Sequence, residues 1–140
     1  VATHGVIDPN YPQSSGLILQ PDATFDGFLT VPEIYQLHLN TELVVLSGCE
    51  TGLGALQERN GVENMARAFL FAGSPAVLVS LWKVSDHSTA VFMEKFYHNM
   101  IVKKQTAATA LATTKIEMLL SEAFSQPYFW APFILVRRSH

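Results

Sequence analysis

The chain has 140 residues, of which 49% are hydrophobic and 15% charged, and its formal net charge at pH 7 is −3. This composition supplies enough apolar side chains for one buried core. The basic residues are scattered apart from Lys103–Lys104 and Arg137–Arg138, so no phosphate-binding stripe is present and we expect no nucleic-acid partner. The longest apolar runs, such as residues 76–82 with one serine inside, fall far short of the roughly 20 residues that cross a bilayer, so we expect no membrane insertion.

Cys49 is the single cysteine of the sequence, and it cannot form an internal disulfide. No amino-terminal stretch has the charged head, apolar middle and cleavage site of a signal peptide, so we expect a cytoplasmic protein. Residues 1–3 have the character of a strand end without its earlier half. We therefore expect residues 1–140 to form one domain that is the carboxyl-terminal part of a longer domain or chain, with the first strands missing.

The amino-terminal third of the chain predicts a loop, a hairpin and a capped helix. Asp8-Pro9 and Tyr11-Pro12 push the preceding residues out of the helical region. Residues 16–30 predict two short strands around a turn at Pro21-Asp22. Thr30-Val31-Pro32-Glu33 fits a capping box that begins a helix, which should end near Asn40.

The rest of the chain alternates apolar runs with helical periodicity. Residues 43–46 are continuously apolar, and residues 76–81 are apolar except for Ser80, as expected of strands covered on both faces. Helices are predicted over 61–72, after a cap at Ser85 or Asp86, and over 106–122, with a last strand over 133–136. The cluster Tyr128, Phe129, Trp130 and Phe133 is predicted to be core. Strands separated by helices imply a mostly parallel sheet, and so an α/β fold built as a three-layer α/β/α sandwich.

Two predicted strand ends carry chemistry, because ligands in such sheets gather beyond the carboxyl ends of the strands. Residues 1–3 lead into His4-Gly5, and residues 43–46 lead into Gly48-Cys49. An imidazole near a thiol lowers its pKa and passes the proton to the leaving amine, and the amides of Gly5 and Cys49 can stabilise an oxyanion. The residues alone leave a second interpretation open, in which Cys49 is a small core residue and His4 a turn residue.

Other cysteine chemistries lack their required partners in this sequence. A cysteine phosphatase needs an arginine six residues after the thiol, where Ala55 stands. There is no second cysteine for a redox pair, no clustered His and Cys for zinc, and no Gly-Lys-Ser phosphate loop. We therefore expect no metal and no organic cofactor.

A set of ordered segments, "ATHG", "LVVLSGCETGLG", "GVENMARAFLFAGSPAVLVSLWKVSD" and "YFWAPFILV", resembles the CHAT domain family of caspase-like proteases associated with tetratricopeptide repeats. The Ser-Ala-Cys-Glu-Thr-Gly signature of that family appears here with Gly48 in place of alanine. The resemblance implies a caspase-like fold and a cofactor-free cysteine endopeptidase that cleaves a partner protein. It further implies His4 as the catalytic histidine, Cys49 as the nucleophile, Gly5 and Cys49 as the oxyanion hole, and tetratricopeptide-repeat regions of the same or another chain as partners.

Substrate contacts are predicted at four further residues, each with a structural alternative. Glu50 is otherwise a loop carboxylate, Asp86 a helix cap, and Ser80 and Trp82 part of the core rather than a cleft wall. Two other functions stay open: a catalytically inactive interaction or regulatory module of the same fold, and an unrelated α/β hydrolase or transferase that uses Cys49.

Overall fold

A computed structural model of the chain describes residues 5–8, 10–47 and 55–138, without side chains for residues 12 and 55–60. These residues contain six β-strands and four α-helices. They divide into a first unit, comprising the described residues up to Lys83 and from Val136 onward, and a second unit, Val84–Leu135. Each unit is described below by itself.

The first unit begins with a small antiparallel sheet of order β1-β2-β3, formed by Gly5–Val6, Gly16–Ile18 and Phe28–Thr30. The turn between β2 and β3 is closed by the carboxylate of Asp22, which accepts hydrogen bonds from the amides of Thr24 and Phe25 at 2.7 and 2.9 Å. An aspartate side chain that bonds amides two and three residues ahead mimics a backbone turn. The predicted hairpin is therefore confirmed, and β1 adds a third strand to it.

Helix α1, Val31–Gln36, starts with the predicted capping box. The Thr30 hydroxyl accepts from the Glu33 amide at 3.4 Å, and the Glu33 carboxylate accepts from the Thr30 amide at 2.8 Å. The helix ends at Gln36 rather than near Asn40, because Leu37 is extended and the Leu39 amide donates to the carbonyl of Ala72 at 2.7 Å. A tertiary hydrogen bond thus replaces the last predicted turn.

The second sheet has the order β4-β5-β6, formed by Val44–Leu46, Ala76–Ser80 and Phe133–Arg137. β4 and β5 run parallel and are joined through α2, Ala55–Phe71, which packs against α1 and β5. All of β5 is buried, whereas in β4 Val44 and Val45 are half-buried and only Leu46 is buried. The prediction of a strand covered on both faces is confirmed for β5 and wrong for β4.

Helix α2 ends at the predicted glycine. Gly73 has φ 116°, which is the left-handed conformation that favours glycine after a helix. The amides of Gly73 and Ser74 donate to the carbonyls of Leu70 and Phe69 at 3.3 and 3.1 Å. A side chain at position 73 would also approach the Leu39 carbonyl oxygen to 2.6 Å, so the same glycine permits the contact between α2 and the end of α1.

The second unit is a pair of packed helices with a loop that returns to β6. Helix α3, Asp86–Tyr97, is continued by a π-helical turn, His98–Val102, and followed by α4, Ala107–Leu119. Ser85 is the cap of α3, and its hydroxyl accepts from the Ser88 amide at 3.2 Å. The core includes Phe92 and Phe96, with Phe92 stacked on Phe133 at 3.9 Å between ring centroids.

The predicted aromatic core before the last strand is only partly correct. Phe133 is buried, but Tyr128 is exposed, and Phe129 and Trp130 are half-buried. The reason is local, because Pro127–Phe129 forms a 3₁₀ turn whose tight winding points successive side chains in different directions. Within this turn Tyr128 is exposed, and Phe129 is half-buried.

The chain is a mixed α/β protein, as the sequence predicted. The parallel pair β4 and β5 with its crossover helix α2 agrees with the expected sheet, and β1-β2-β3 is a separate antiparallel sheet.

Candidate functional site

The predicted site residues fall into two groups. His4, Cys49 and Glu50 lie outside the described residues, and Gly5, Ser80, Trp82 and Asp86 lie within them. The segments that lead into and out of the predicted dyad are among the described residues, and they define the geometry around it.

The strand after His4 is held against the helix that follows Cys49 in the chain. Gly5 is buried in β1 opposite Leu17, and Ile7, two residues further on, is also buried. The side chain of Ile7 lies against Gly61 of α2 so closely that a Cβ at position 61 would overlap Cγ2 of Ile7. Only glycine permits this approach, which fixes the segment after His4-Gly5 to the helix that begins six residues after Cys49.

The parallel register brings a second pair of segments to one edge. Leu46 of β4 is paired with Val79 of β5, and in a parallel pair the two carboxyl ends lie at the same edge. Ser80 is therefore beside Ser47, the residue that precedes Gly48-Cys49. This is the edge at which the sequence predicted the nucleophile and the cleft wall.

Ser80 and Trp82 shape the turn that follows β5. Ser80 is buried, and its hydroxyl donates to the carbonyl of Trp82 at 2.7 Å. The hydroxyl proton of Ser80 is therefore used in a hydrogen bond that stabilises the turn. Trp82 itself is half-buried, so it is not a plain core residue.

Asp86 belongs to the second unit, where it is the first residue of α3 and exposed. The cap of this helix is Ser85, so the alternative interpretation of Asp86 as the cap is wrong. A carboxylate in the first turn of a helix is favoured by the helix dipole. Asp86 is therefore an exposed negative charge on an ordered element.

The part of the chain that the structure describes contains neither a metal site nor a membrane-spanning helix. Within residues 5–8, 10–47 and 55–138, no three His, Cys, Asp or Glu side chains are grouped to hold a metal ion. Across the same residues, no helix has both the length and the apolarity needed to cross a bilayer.

Comparison with known families matches residues 1–138 to the CHAT domain. The chain belongs to the CHAT domain family. This is a caspase-like family often associated with tetratricopeptide repeats. Mouse tetratricopeptide repeat protein 28 is 34% identical over 108 residues, and the human protein of that name is 37% identical over 114 residues. Each match covers 77% of this chain and 4% of the relative, so the matched segment is a small part of those proteins.

One residue of this CHAT domain that positions the site was not singled out from the sequence. Gly61 lies in the interior of α2, where glycine costs about 1 kcal/mol relative to alanine. The predicted helix began at Gly61, whereas α2 begins at Ala55, so the sequence placed this glycine at a helix end rather than inside the helix. The identity of its partner, Ile7, depends on tertiary structure and has no local signature.

Proposed function

We propose that this CHAT domain is a caspase-like cysteine endopeptidase that cleaves peptide bonds in a partner protein. The Cys49 thiolate attacks the peptide carbonyl, and a thioester forms as the C–N bond breaks. His4 delivers the proton from the thiol to the leaving amine, and water then hydrolyses the thioester. The amides of Gly5 and Cys49 stabilise the oxyanion. We further propose that the sheet and helices form the three-layer sandwich of caspases.

The observation that carries this proposal is the close packing of Ile7 against Gly61. It supports a dyad because it links the chain just after His4 to the helix that follows Cys49. The register of β4 with β5 adds support, since it brings Ser80 to the edge where Ser47 leads toward Cys49. Membership of a caspase-like family agrees with both.

Substrate binding would use the same edge. We propose that an extended peptide lies along the turn after β5, with main-chain hydrogen bonds and the half-buried ring of Trp82 as a wall. Ser80 would act through its backbone, because its hydroxyl is bonded to the Trp82 carbonyl. Glu50 would favour a basic side chain of the substrate. Tetratricopeptide-repeat regions would recognise the substrate and regulate the enzyme in the cytoplasm.

The test is alkylation of Cys49 across pH in the native chain, in His4→Ala and in a denatured control. We expect an apparent thiol pKa well below the roughly 8.5 of a free thiol, and loss of that shift in His4→Ala. A peptide library would then define the cleaved bond. A thiol that reacts only after denaturation, or identically without His4, would contradict the dyad.

A second candidate is a catalytically inactive CHAT domain that acts as an interaction or regulatory module. The match covers 4% of relatives that are named for their tetratricopeptide repeats, and this small share favours the second candidate. The labelling experiment separates the two, because an inactive module predicts ordinary or absent reactivity of Cys49.

A further inference from the structure

The second unit carries a continuous series of rings that the proposed peptidase chemistry does not use. The series consists of His87, Phe124, Phe129 and Tyr128, and is called the aromatic row below. Successive ring centroids are separated by 5.7 Å from His87 to Phe124, 5.5 Å from Phe124 to Phe129, and 5.6 Å from Phe129 to Tyr128. The two contacts of Phe129 are edge-to-face, with interplanar angles of 81° and 77°.

The aromatic row is accessible at both ends. Tyr128 is 53% exposed and His87 is exposed, while Phe124 and Phe129 between them are half-buried. Rings that contact each other edge to face turn their faces in different directions. The ring faces of the row are therefore not all stacked against one another.

The loop that carries three of these rings is ordered by its own hydrogen bonds. The Phe124 amide donates to the Ser121 hydroxyl at 2.9 Å, and the Trp130 indole donates to the Ser125 carbonyl at 3.2 Å. The amides of Phe129 and Trp130 close the 3₁₀ turn at 3.1 and 3.2 Å. A surface that is ordered before binding loses less conformational entropy when a partner docks.

The two charged residues within residues 84–90 and 121–131 are acidic, and the nearest lysine along the chain is Lys83. Asp86 precedes His87 and Glu122 lies two residues before Phe124, and both are exposed. Residues 84–90 and 121–131 contain no lysine or arginine. The lysines of the second unit lie on the last turn of α3, the turn after it, and α4: Lys95, Lys103, Lys104 and Lys115.

We propose that the aromatic row is a docking site for arginine side chains in an extended basic segment of a partner protein. A guanidinium group stacks on aromatic faces and pairs with carboxylates through its planar donors, and both features are present here. The carboxylates of Asp86 and Glu122 would repel an acidic partner. An uncharged proline-rich segment would not pair with these carboxylates. The site lies wholly within the second unit and does not depend on the His4–Cys49 chemistry.

The test is a heteronuclear NMR titration of the 140-residue chain with the blocked peptide Arg-Gly-Arg-Gly-Arg-Gly. We expect amide shifts centred on residues 86–88 and 121–130, and at least a twofold weaker interaction for the same peptide with citrulline in place of arginine. Citrulline keeps the shape of arginine and removes its charge. Shifts elsewhere in the chain, or equal binding of the citrulline peptide, would overturn the proposal, as would preferential binding of a proline-rich peptide.

Variants of the aromatic row separate ring stacking from general charge attraction. Tyr128→Leu keeps apolar area and removes the π face, and should weaken arginine-peptide binding roughly two- to fivefold. The matched control is Tyr97→Leu, which removes another exposed tyrosine of the second unit whose ring contacts Phe96. An equal effect of the two substitutions would contradict the assignment.

The carboxylates are tested by a double variant, Asp86→Asn with Glu122→Gln. We expect roughly two- to fivefold weaker binding, and a smaller difference from the parent at high salt. Glu94→Gln removes an exposed carboxylate from α3 away from the row and should leave binding unchanged. If Tyr128→Leu disturbs folding, its amide spectrum will show this, and the double variant decides the proposal by itself. Unchanged binding of the double variant would overturn it.

Discussion

The two units of this CHAT domain are stabilised in different ways. The first unit depends on the backbone: the Asp22 turn, the Thr30 cap, and a helix that approaches a strand through Gly61. The second unit depends on pairs of side chains that are distant in sequence, such as Asn99 with Thr114 and Phe92 with Phe133. A close backbone approach tolerates almost no added atom, whereas a side-chain pair can be replaced by another pair of similar shape. The two units should therefore respond differently to small substitutions.

The largest difference between substitutions in the two units should be their effect on catalysis, since the proposed dyad is in the first unit. On the proposed function, Cys49→Ala should lower peptidase kcat/KM roughly 10⁴-fold or more, as expected for loss of a nucleophile. By contrast, Tyr128→Leu, in the second unit, should change kcat/KM for a short peptide little. Cleavage of an optimised peptide is the measurement. Residual activity in Cys49→Ala close to that of the parent would show that the hydrolysis comes from elsewhere.

The backbone approach of the first unit is tested by Gly61→Ala. Alanine raises helix propensity by about 1 kcal/mol, but its Cβ overlaps Ile7, and overpacking costs typically 1–3 kcal/mol. We expect the free energy of unfolding in urea to fall despite the better helix former. The double variant with Ile7→Ala should recover part of the loss, with a coupling of about 0.5–3 kcal/mol. A stabilised Gly61→Ala would mean that the helix and strand are further apart.

Local chemistry explains which parts of the fold the sequence predicted. The Thr30 cap, the Asp22 turn, the Ser85 cap and the stop at Gly73 each depend on residues within a few positions of one another, and all four were anticipated. The early end of α1 was not, because it depends on a hydrogen bond between Leu39 and Ala72 across the fold. The π-helical turn after Tyr97 has no composition that distinguishes it from an α-helix.

In the candidate site, too, the sequence predicted the local features and did not predict those that depend on tertiary structure. The order of the motifs was sufficient to predict the family. It also predicted that β4 and β5 end at the same edge of the sheet, because glycine and strand patterns are local. It did not show that the Ser80 hydroxyl is engaged with the Trp82 carbonyl, or that Tyr128 and His87 end a row of rings at the surface. Both features depend on turns whose side-chain directions are set by the folded loop.

The side-chain pairing of the second unit is tested by Thr114→Val. Asn99 and Thr114 are both buried, and the Asn99 amide nitrogen donates to the Thr114 hydroxyl at 3.0 Å. Valine keeps the shape and removes the acceptor, which leaves the Asn99 amide nitrogen with its longer bond to Glu117 Oε2 at 3.4 Å, so we expect a cost of about 1 kcal/mol. Thr113→Val makes the same change at the half-buried neighbour and should cost less. Urea unfolding compares them.

A further variant at Asn99 sharpens this result. Asn99→Leu combined with Thr114→Val removes both partners, and should be less destabilising than the sum of the single substitutions. Strict additivity would indicate that the hydrogen bond contributes no coupling. The Asn99–Thr114 pair would then not stabilise the second unit through its hydrogen bond.

The smallest effect belongs to the capping box of the first unit. The Thr30 hydroxyl, and then the Thr30 amide, hold the pKa of the Glu33 carboxyl below its ordinary value of 4.5. A carboxylate whose pKa is lowered on folding adds stability that is present above the unfolded value and is lost as pH falls through the folded value. The stability difference between the parent and Glu33→Gln should therefore narrow as pH falls below 4.5.

Direct titration of the Glu33 carboxyl by carbon NMR gives the sharper measurement. Thr30→Ala should move its pKa back toward 4.5, because the hydroxyl is the larger cause of the shift. Thr30→Ser keeps a hydroxyl at the cap and should preserve the lowered pKa. If Thr30→Ala leaves the Glu33 pKa unchanged, the carboxylate is stabilised by the helix dipole rather than by the cap, and the first unit depends less on its local hydrogen bonds than its backbone geometry indicates.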